Sequence, residues 1–226
     1  MKQLTILHLY PNEMSLYGDA GNVRVLQKRL EWRGYAVDIK YHHVGSRFDY
    51  TPDLVVGGGG QDSGQVDVAR DLEGGTSFLR SLAEDNVPML MICGMYQLFG
   101  HQMATASGSV LNGVSIFNAT TIATPKRMVG DITARTKFGL LQGFENHSGE
   151  TFLHGDQAPL GHVVEGYGNT TKGQEEGAVI NNVFGTYLHG CVLARNAFFA
   201  DLLLAKALER KGIQDTLTAL PDPLLA

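Results

Sequence analysis

The stretch VPMLMICGMYQLFG, residues 87–100, decides how this chain is organised. The apolar run 89–92 follows a proline and has the composition of a strand that is buried on both faces. Gly94 then permits a sharp turn, and residues 95–99 predict the first turns of a buried helix. This pattern places Cys93 at the tip of a strand–turn–helix elbow.

A cysteine at such an elbow has two interpretations. Backbone N–H groups and the helix dipole favour a thiolate and a developing oxyanion at a helix N-terminus, so Cys93 could be a nucleophile. Cysteine is also a common small core residue, and an elbow is only a local pattern. The elbow by itself leaves both interpretations open.

Strands and helices alternate in the first half of the chain. The sequence predicts strands at 4–10, 35–42 and 53–56, and helical patterns begin at residue 23 and at residue 77. Strands that are joined by helical crossovers pair in parallel. We therefore predict an α/β fold, with an open, largely parallel twisted sheet flanked by helices.

The second half of the chain has a different character. Glycines and β-branched residues dominate from 111 to 185, with short strand candidates at 114–121, 163–165, 177–180 and 183–188. We expect hairpins that stack on the first sheet or extend it. A closing helix is predicted at 196–211, followed by a tail from about 213 to 226. Because no repeat or linker divides the chain, we predict a single domain over 1–226.

Composition excludes several classes of function. The formal net charge of −5 offers no basic surface for nucleic acid. No apolar run predicts a transmembrane segment, and the first residues lack a secretory pattern. The chain has 2 cysteines, which argues against a disulfide scaffold and fits a reducing compartment. We predict neither a metal site nor a cofactor in this chain.

A glycine run, residues 57–60, follows the third predicted strand directly. Ligands of doubly wound sheets bind outside the carboxyl ends of the strands, where this run and Cys93 both lie. Backbone N–H groups of the run, together with that of Gly94, could form an oxyanion hole. Gln61 and Asp62 follow instead of the Lys-Ser/Thr of a P-loop. A merely structural turn remains the alternative.

The segment GTYLHGC, residues 185–191, places a histidine at the end of another predicted strand. A thiol nucleophile needs a base that is distant in sequence and close in space, and the position of His189 mirrors that of Cys93. The pair His42 and His43 also follows a strand, but no acidic partner is evident nearby. His147 and His154 lack the spacing of metal ligands.

Together these motifs carry a family resemblance. The pattern CGMYQLFG at 93–100 and the segment GTYLHG at 185–190 resemble the class I glutamine amidotransferase domain of the cobyric acid synthase type, which has a flavodoxin-like fold. The segments YGDAGN (17–22), GGGQD (58–62) and FENHSG (144–149) resemble, within that family, stand-alone glutaminase subunits that work with a Mur-ligase-like partner. The resemblance spans roughly residues 4–203.

The resemblance implies a reaction. Cys93 would attack the side-chain amide of L-glutamine, release ammonia and leave a γ-glutamyl thioester, while His189 would take the thiol proton and pass it to the leaving amine. Gly59 or Gly60 would hold the oxyanion together with Gly94.

Two further residues line the implied glutamine pocket. The family pattern places Gln97 there, and Arg127 matches an arginine that binds glutamine. A guanidinium suits a planar carboxylate through two parallel hydrogen bonds. Without the family, Arg127 beside Lys126 would be an ordinary surface arginine.

The partner implied by the resemblance is a Mur-ligase-like, ATP-dependent synthetase subunit, which would form a heterodimer with this chain. It would use ammonia to amidate the D-glutamate α-carboxylate of lipid II to D-isoglutamine in peptidoglycan synthesis. ATP and Mg would therefore bind the partner. A cytoplasmic location is implied, and lipid II could bring the complex to the inner face of the membrane.

One departure from the broader class concerns the third member of the catalytic triad. Many class I enzymes have a glutamate two residues after the histidine, where this chain has Cys191. The orienting group would then come from another segment or from the partner. Alternatives to the lipid II reaction are ammonia supply for cobyrinic acid amidation, a stand-alone cysteine hydrolase or peptidase, and a binding module with an inert Cys93.

Overall fold

A computed structural model describes residues 2–60, 62–214 and 217–220 of the chain. Its strands are β1 (Gln3–Leu9), β2 (Ala36–His42), β3 (Leu54–Gly57), β4 (Met89–Ile92), β5 (Gln102–Ala104), β6 (Val110–Asn112), β7 (Ala119–Thr136), β8 (Gly139–Leu153), β9 (Gly161–Glu165), β10 (Glu175–Glu176), β11 (Ala178–Ile180) and β12 (Val183–Thr186). Its helices are α1 (Ala20–Glu31), α2 (Asp62–Glu84), α3 (Gly94–Leu98), α4 (Val192–Arg195) and α5 (Ala197–Arg210), with a 3-10 turn at Leu16–Gly18.

The first sheet contains six strands in the order β2-β1-β3-β4-β12-β11. All neighbours are parallel except β11, which pairs antiparallel with β12 at one edge. This order is that of a doubly wound, flavodoxin-like sheet. It confirms the predicted α/β fold with an open, largely parallel sheet.

The central strands of this sheet are buried along their whole length. All residues of β3, β4 and β12 are buried. Because both faces of these short strands are covered, their residues are almost entirely apolar. Parallel strands end at the same edge of a sheet. The loops after β1, β3, β4 and β12 therefore meet there, and this edge carries the predicted site.

The second sheet has the order β10-β9-β7-β5-β6, and β8 pairs with β7 outside that path. The long antiparallel hairpin of β7 and β8 dominates it, with an irregularity between Ala123 and Met128. The predicted short strands underestimate this hairpin, because glycines and exposed polar residues interrupt its apolar alternation. The expectation that hairpins extend the first sheet holds for β11 and β12, whereas β5 to β10 belong to the separate second sheet.

The second helix is much longer than the predicted segment at 77–86. Gly74 and Gly75 lie inside α2, and glycine is a poor helix former, so the sequence pattern breaks there. Val68, Leu72 and Leu79 are nevertheless buried on its inner face. Burial of this face therefore outweighs the low propensity of the two glycines.

An antiparallel bridge between Phe144 of β8 and His189 joins the two sheets beside the predicted site. The N–H of His189 donates to the carbonyl of Phe144 at 2.7 Å. The backbone of the predicted base is thus fixed by the second sheet. No helix in the described ranges combines the length and apolarity needed to cross a membrane.

The single-domain prediction for 1–226 stays a prediction. Part of the predicted tail, residues 215–216 and 221–226, lies outside the described residues, as does Gln61 of the glycine-run motif.

Candidate active site

Cys93 stands between β4 and α3, as the elbow pattern predicts. It is the N-cap residue of α3, with φ 49° and ψ −103°, and its side chain is nearly buried. Positive φ is uncommon for a residue with a Cβ and marks a turn that its surroundings must hold in place. The N–H of Cys93 donates to the carbonyl of Thr186 at 2.8 Å, and the N–H of Gln97 donates to the carbonyl of Cys93 at 2.9 Å. Bonds to β12 and α3 therefore fix the elbow.

His189 follows β12 and is fully buried. Its Nδ1 lies 3.1 Å from Oδ2 and 3.2 Å from Oδ1 of Asp19, whose carboxylate is also fully buried. Because a carboxylate only accepts, Nδ1 carries the proton and donates to Asp19. The imidazole is thereby oriented from one side.

The charge state of His189 follows from its neighbours. Burial alone would lower the pKa of His189, but its interactions with Cys93 and Asp19 outweigh burial and raise the pKa to about 10. The imidazole is therefore protonated near neutral pH. An imidazolium beside a thiol favours the thiolate, which is the nucleophilic form of cysteine.

Asp19 is the functional residue that sequence reasoning missed. Its Oδ2 also accepts the N–H of Gly59 at 2.8 Å, so one carboxylate joins the glycine run to His189. Asn22 secures the same segment, because its Oδ1 accepts the N–H of Leu193 at 2.9 Å. Asp19 could have been found from its position, because it is an acidic residue in the loop after β1, at the sheet edge where Cys93 and His189 were both expected.

Gly59 lies so close to these three side chains that no other residue fits. A Cβ on Gly59 would be 2.6 Å from Cε1 of His189, 3.1 Å from Cβ of Cys93 and 3.4 Å from Oδ2 of Asp19. The absence of a side chain at Gly59 therefore allows the thiol, the imidazole and the carboxylate to come together.

The structure narrows the choice of oxyanion donors. The N–H of Gly59 is already bonded to Asp19. Within the described part of the chain, the N–H groups of Gly60 and Gly94 have no hydrogen-bond acceptor. Gly60 and Cys93 line the same cavity, and Gly94 directly follows Cys93. Two backbone donors on either side of the thiol are the arrangement that an oxyanion requires.

A cavity of about 420 Å³ opens above Cys93 and His189. Its wall brings together the two sheets, and its lining residues are Leu16, Gly59, Gly60, Gln65, Cys93, Gln97, Met103, Arg127, Asn146, His147, Ser148, Gly149 and His189. Arg127 of β7 is exposed at the cavity, and its Nε donates to Oδ1 of Asn146 at 2.6 Å. Six of the seven site residues predicted from the sequence therefore line one cavity, and the seventh, Gly94, directly follows Cys93.

Over the described ranges of the chain, the lining includes the guanidinium of Arg127 and the imidazole of His189, and it contains neither aspartate nor glutamate. A molecule that carries a carboxylate is thus favoured near Arg127. Among the described residues, no group of three or more His, Cys, Asp or Glu side chains has the arrangement of a metal site.

Cys191 occupies a second, similar turn. It is the N-cap residue of α4 with φ 52°, and a Cβ on Gly21 would lie 2.9 Å from its Sγ. Burial, supported by the charge of Asp19, raises the pKa of Cys191. Many class I enzymes have a glutamate at this position, whereas here the carboxylate next to Nδ1 of His189 belongs to Asp19.

Two other histidines make contacts that the sequence analysis did not predict. The prediction that His42 lacks an acidic partner is wrong, because its Nε2 lies 2.9 Å from Oδ2 of Asp71 in α2. His147 lines the catalytic cavity and stacks on the ring of Tyr187 at 3.6 Å between centroids. Neither contact could be read from local spacing, because both join residues that are far apart in sequence.

Comparison with known proteins agrees with this geometry. Residues 5–197 match the model of the CobB/CobQ-like glutamine amidotransferase domain. The lipid II isoglutaminyl synthase (glutamine-hydrolyzing) subunit GatD of Staphylococcus aureus is 39% identical over 94% of this chain and 88% of its own length. The GatD subunit of Streptococcus pneumoniae is 39% identical over 94% of this chain and 84% of its own length.

Other relatives are more distant. A probable cobyric acid synthase of Methanothermobacter thermautotrophicus is 33% identical over 60% of this chain, which corresponds to 29% of that protein. A crystal structure of a glutamine amidotransferase superposes with a TM-score of 0.63 at 11% identity, covering 89% of this chain and 98% of that one. This superposition supports the fold. With the family match over residues 5–197, it follows that the chain is a glutamine amidotransferase and belongs to the CobB/CobQ-like family.

Proposed function

We propose that this chain is a glutaminase subunit that supplies ammonia for the amidation of lipid II. The observation that carries the chemistry is the buried constellation of Cys93, His189 and Asp19 at the floor of a cavity that Arg127 borders. It combines a nucleophile, a proton carrier and an orienting carboxylate, which is what cleavage of a carboxamide requires.

The first step forms a bond between Sγ of Cys93 and the side-chain carbonyl carbon of glutamine. The C–N bond then breaks, and the imidazolium of His189 gives its proton to the departing nitrogen, so that ammonia leaves as a neutral molecule. A water molecule next attacks the γ-glutamyl thioester while His189 takes up a proton. The thioester C–S bond breaks, glutamate is released, and the pair of Cys93 thiolate and His189 imidazolium is restored.

Negative charge develops on the carbonyl oxygen in both steps. The N–H groups of Gly60 and Gly94 are the free donors beside Cys93, and they stabilise this charge without having to reorganise. Gly59 acts through Asp19 instead, because its own N–H is already bonded. The sequence left the oxyanion role open between Gly59 and Gly60, and this hydrogen bond favours Gly60.

Arg127 binds the α-carboxylate of glutamine in this proposal. Its guanidinium belongs to the cavity lining, and Asn146 holds its Nε on one side. A guanidinium pairs with a carboxylate through parallel hydrogen bonds, which also sets the direction in which the substrate enters. Gln97 contributes polar contacts deeper in the pocket.

The destination of the ammonia is proposed from the relatives. Two GatD subunits of lipid II isoglutaminyl synthases match nearly the whole chain, at 39% identity. We therefore propose a Mur-ligase-like partner that binds ATP and Mg and amidates the D-glutamate α-carboxylate of lipid II. This proposal carries with it a heterodimer and a cytoplasmic location. Cobyrinic acid amidation has weaker support, because the cobyric acid synthase is less similar and matches less of this chain.

The test is ammonia release from glutamine by the purified chain, with and without the synthetase subunit, for Arg127→Ala and for Arg135→Ala as a matched control on the same strand. Loss of a charged hydrogen bond of about 2 kcal/mol predicts a rise in KM of about thirtyfold for Arg127→Ala. The effect should be small on 4-aminobutanamide, which lacks the α-carboxylate. An equal loss on both substrates, or an equal loss in Arg135→Ala, would contradict the assigned role.

A further inference from the structure

A chain of hydrogen bonds between buried side chains runs beneath the thiol and the imidazole. Nε2 of Gln65 lies 2.9 Å from Oε1 of Gln97, and Nε2 of Gln97 lies 3.2 Å from the hydroxyl of Tyr187. That hydroxyl lies 2.6 Å from Oγ1 of Thr151, which lies 2.7 Å from Oγ1 of Thr121. The chain therefore connects α2, α3, the segment before His189 and both long strands of the second sheet.

All five members are almost completely buried. Gln65 is 2% exposed and Gln97 is 4% exposed, and both also line the catalytic cavity. Buried polar groups are costly when unpaired, so a row of this kind is stable only while every link is made. A change at one end is expected to reach the other members.

The position of Gln97 makes its orientation important. It stands one helical turn after Cys93, and its amide packs against Gly149 so closely that a Cβ there would lie 2.5 Å from Nε2. The oxygen and the NH₂ group of a carboxamide have nearly the same shape. Packing therefore cannot choose between the two orientations of the amide, and hydrogen bonds must do so.

Gln65 is the partner that makes this choice. The hydroxyl of Tyr187 can donate or accept, so it is compatible with either orientation of Gln97. In the structure Nε2 of Gln65 faces Oε1 of Gln97, and because a donor must face an acceptor, the orientation of the Gln65 amide sets that of Gln97 and directs its Nε2 toward Tyr187. Gln65 also packs on the elbow itself, because a Cβ on Gly94 would lie 2.6 Å from its Nε2.

We propose that Gln65 is a positioning residue of the glutamine pocket, which fixes the direction of the Gln97 carboxamide through the buried row Gln65–Gln97–Tyr187–Thr151. Gln97 keeps a second N–H and a second lone pair, and the fixed direction decides which of them meets the polar groups of glutamine. A reversed amide would offer a donor where an acceptor is needed. The inference rests on the proposed function, because it assumes that glutamine occupies the cavity.

The experiment measures glutamine binding and turnover in Gln65→Met, Gln65→Glu and Tyr187→Phe. Gln65→Met keeps the shape of the side chain but removes its hydrogen bond. In Gln65→Glu the carboxylate cannot donate a hydrogen bond, so the Gln97 amide has to turn. Tyr187→Phe removes the hydroxyl but keeps the ring that stacks on His147. Lys137→Met, in the exposed turn after β7, is the matched surface control. Binding is measured by calorimetry in a Cys93→Ser background, so that this readout is independent of turnover.

We expect Kd and KM to rise about tenfold in each of the three variants, which equals about 1.4 kcal/mol, while kcat falls less than about threefold. The rate at which iodoacetamide alkylates Cys93 should stay unchanged, because the elbow and His189 are intact. The double variant Gln65→Met/Tyr187→Phe should bind no more weakly than the worse single variant, since both act through Gln97.

Unchanged Kd and KM in Gln65→Met and Gln65→Glu would overturn the proposal. A purely structural role of Gln65 would also contradict the proposal. It would appear as equal losses in kcat and in the alkylation rate of Cys93 in the Gln65 variants. Failure of the proposed function looks different, because the parent protein itself would then neither bind glutamine nor release ammonia.

Discussion

Cys93 and Cys191 stand in two turns that share a positive φ and a place before a short helix, but differ in ψ, which is −103° and 66°, and in their surroundings. Each is the N-cap residue of a short helix after a strand of the first sheet, with φ of 49° and 52°. Cys93 faces an imidazole held by Asp19, whereas Sγ of Cys191 lies against Gly21. A helix N-terminus and a strained turn are therefore insufficient to make a nucleophile, and the oriented imidazolium makes the difference.

Electrostatics separates the two thiols in the same way. Burial raises the pKa of Cys191, and the charge of Asp19 adds to that effect. The same carboxylate helps to raise the pKa of His189 to about 10, against the lowering effect of burial. Asp19 thus favours a charged pair at one turn and a neutral thiol at the other.

The largest expected effect comes from Cys93→Ser. A serine hydroxyl keeps the shape of the side chain but has far weaker nucleophilicity, so kcat for glutamine hydrolysis should fall by at least about 10,000-fold. Ammonia release under saturating glutamine measures the loss, and the midpoint of thermal unfolding shows whether the fold is retained. Activity within tenfold of the parent protein would remove Cys93 from the mechanism.

Several parts of the site around Cys93 could be predicted from the sequence. Residues 89–94 are local in sequence, so the elbow and the position of Cys93 at a strand end were predictable from pattern alone. His189 was predictable because it ends a second strand of the same parallel sheet. The family resemblance added Arg127, Gln97 and the glycine donors.

Other parts of the site depend on contacts that no local pattern contains. Asp19 and His189 are 170 positions apart in sequence, and the loop that carries Asp19 shows no regular periodicity. The sequence left open whether another segment or the partner orients His189. Only the fold, which places the start of α1 at this edge of the sheet, brings the carboxylate of Asp19 next to His189. The β7–β8 hairpin was likewise underestimated, because its length depends on cross-strand pairing.

Asp19→Asn should have the next largest effect. An amide cannot stabilise the imidazolium as a carboxylate does, so kcat should fall by about 1,000-fold. The pKa of His189 should fall toward its ordinary value, and a group with a lower pKa loses its proton at a lower pH. The alkaline limb of the kcat/KM profile is thus expected to move to lower pH. A series of ammonia assays between about pH 6 and about pH 10.5 would detect this shift.

The control for this variant is Asp38→Asn, which removes an acidic group of β2 that pairs with Lys40. Its profile should match that of the parent protein. An Asp19→Asn enzyme with an unshifted alkaline limb would mean that Asp19 does not govern the protonation of His189.

A pair of matched glycine substitutions probes the space around each thiol. Gly59→Ala places a methyl group 2.6 Å from the imidazole and 3.1 Å from Cβ of Cys93, so kcat should fall about 100-fold. Gly21→Ala meets the side chain of Cys191, with Sγ at 2.9 Å and Cβ at 3.2 Å; the sulfur can rotate away, and the Cβ contact needs only a small shift. Alanine also favours the helix, so activity should stay within about twofold. Similar losses in both variants would argue against a difference between the two turns.

The smallest effect is expected from Cys191→Ser. Its neutral thiol orients nothing, and Asp19 already supplies the carboxylate, so turnover should change less than about twofold. Stimulation by the synthetase subunit should be the same for this variant and the parent protein. A collapse of activity in a folded Cys191→Ser variant would show that the thiol takes part in catalysis.

The most direct test of the difference between the two cysteines is covalent labelling by 6-diazo-5-oxo-L-norleucine, a reactive analogue of glutamine, followed by mass spectrometry of the peptides. We expect one label per chain, on the peptide that contains Cys93, and no label on Cys191. Glutamine should protect Cys93 from the reagent, and the labelling should be much slower in Asp19→Asn. Labelling of Cys191, or equal labelling of both cysteines, would contradict this expectation.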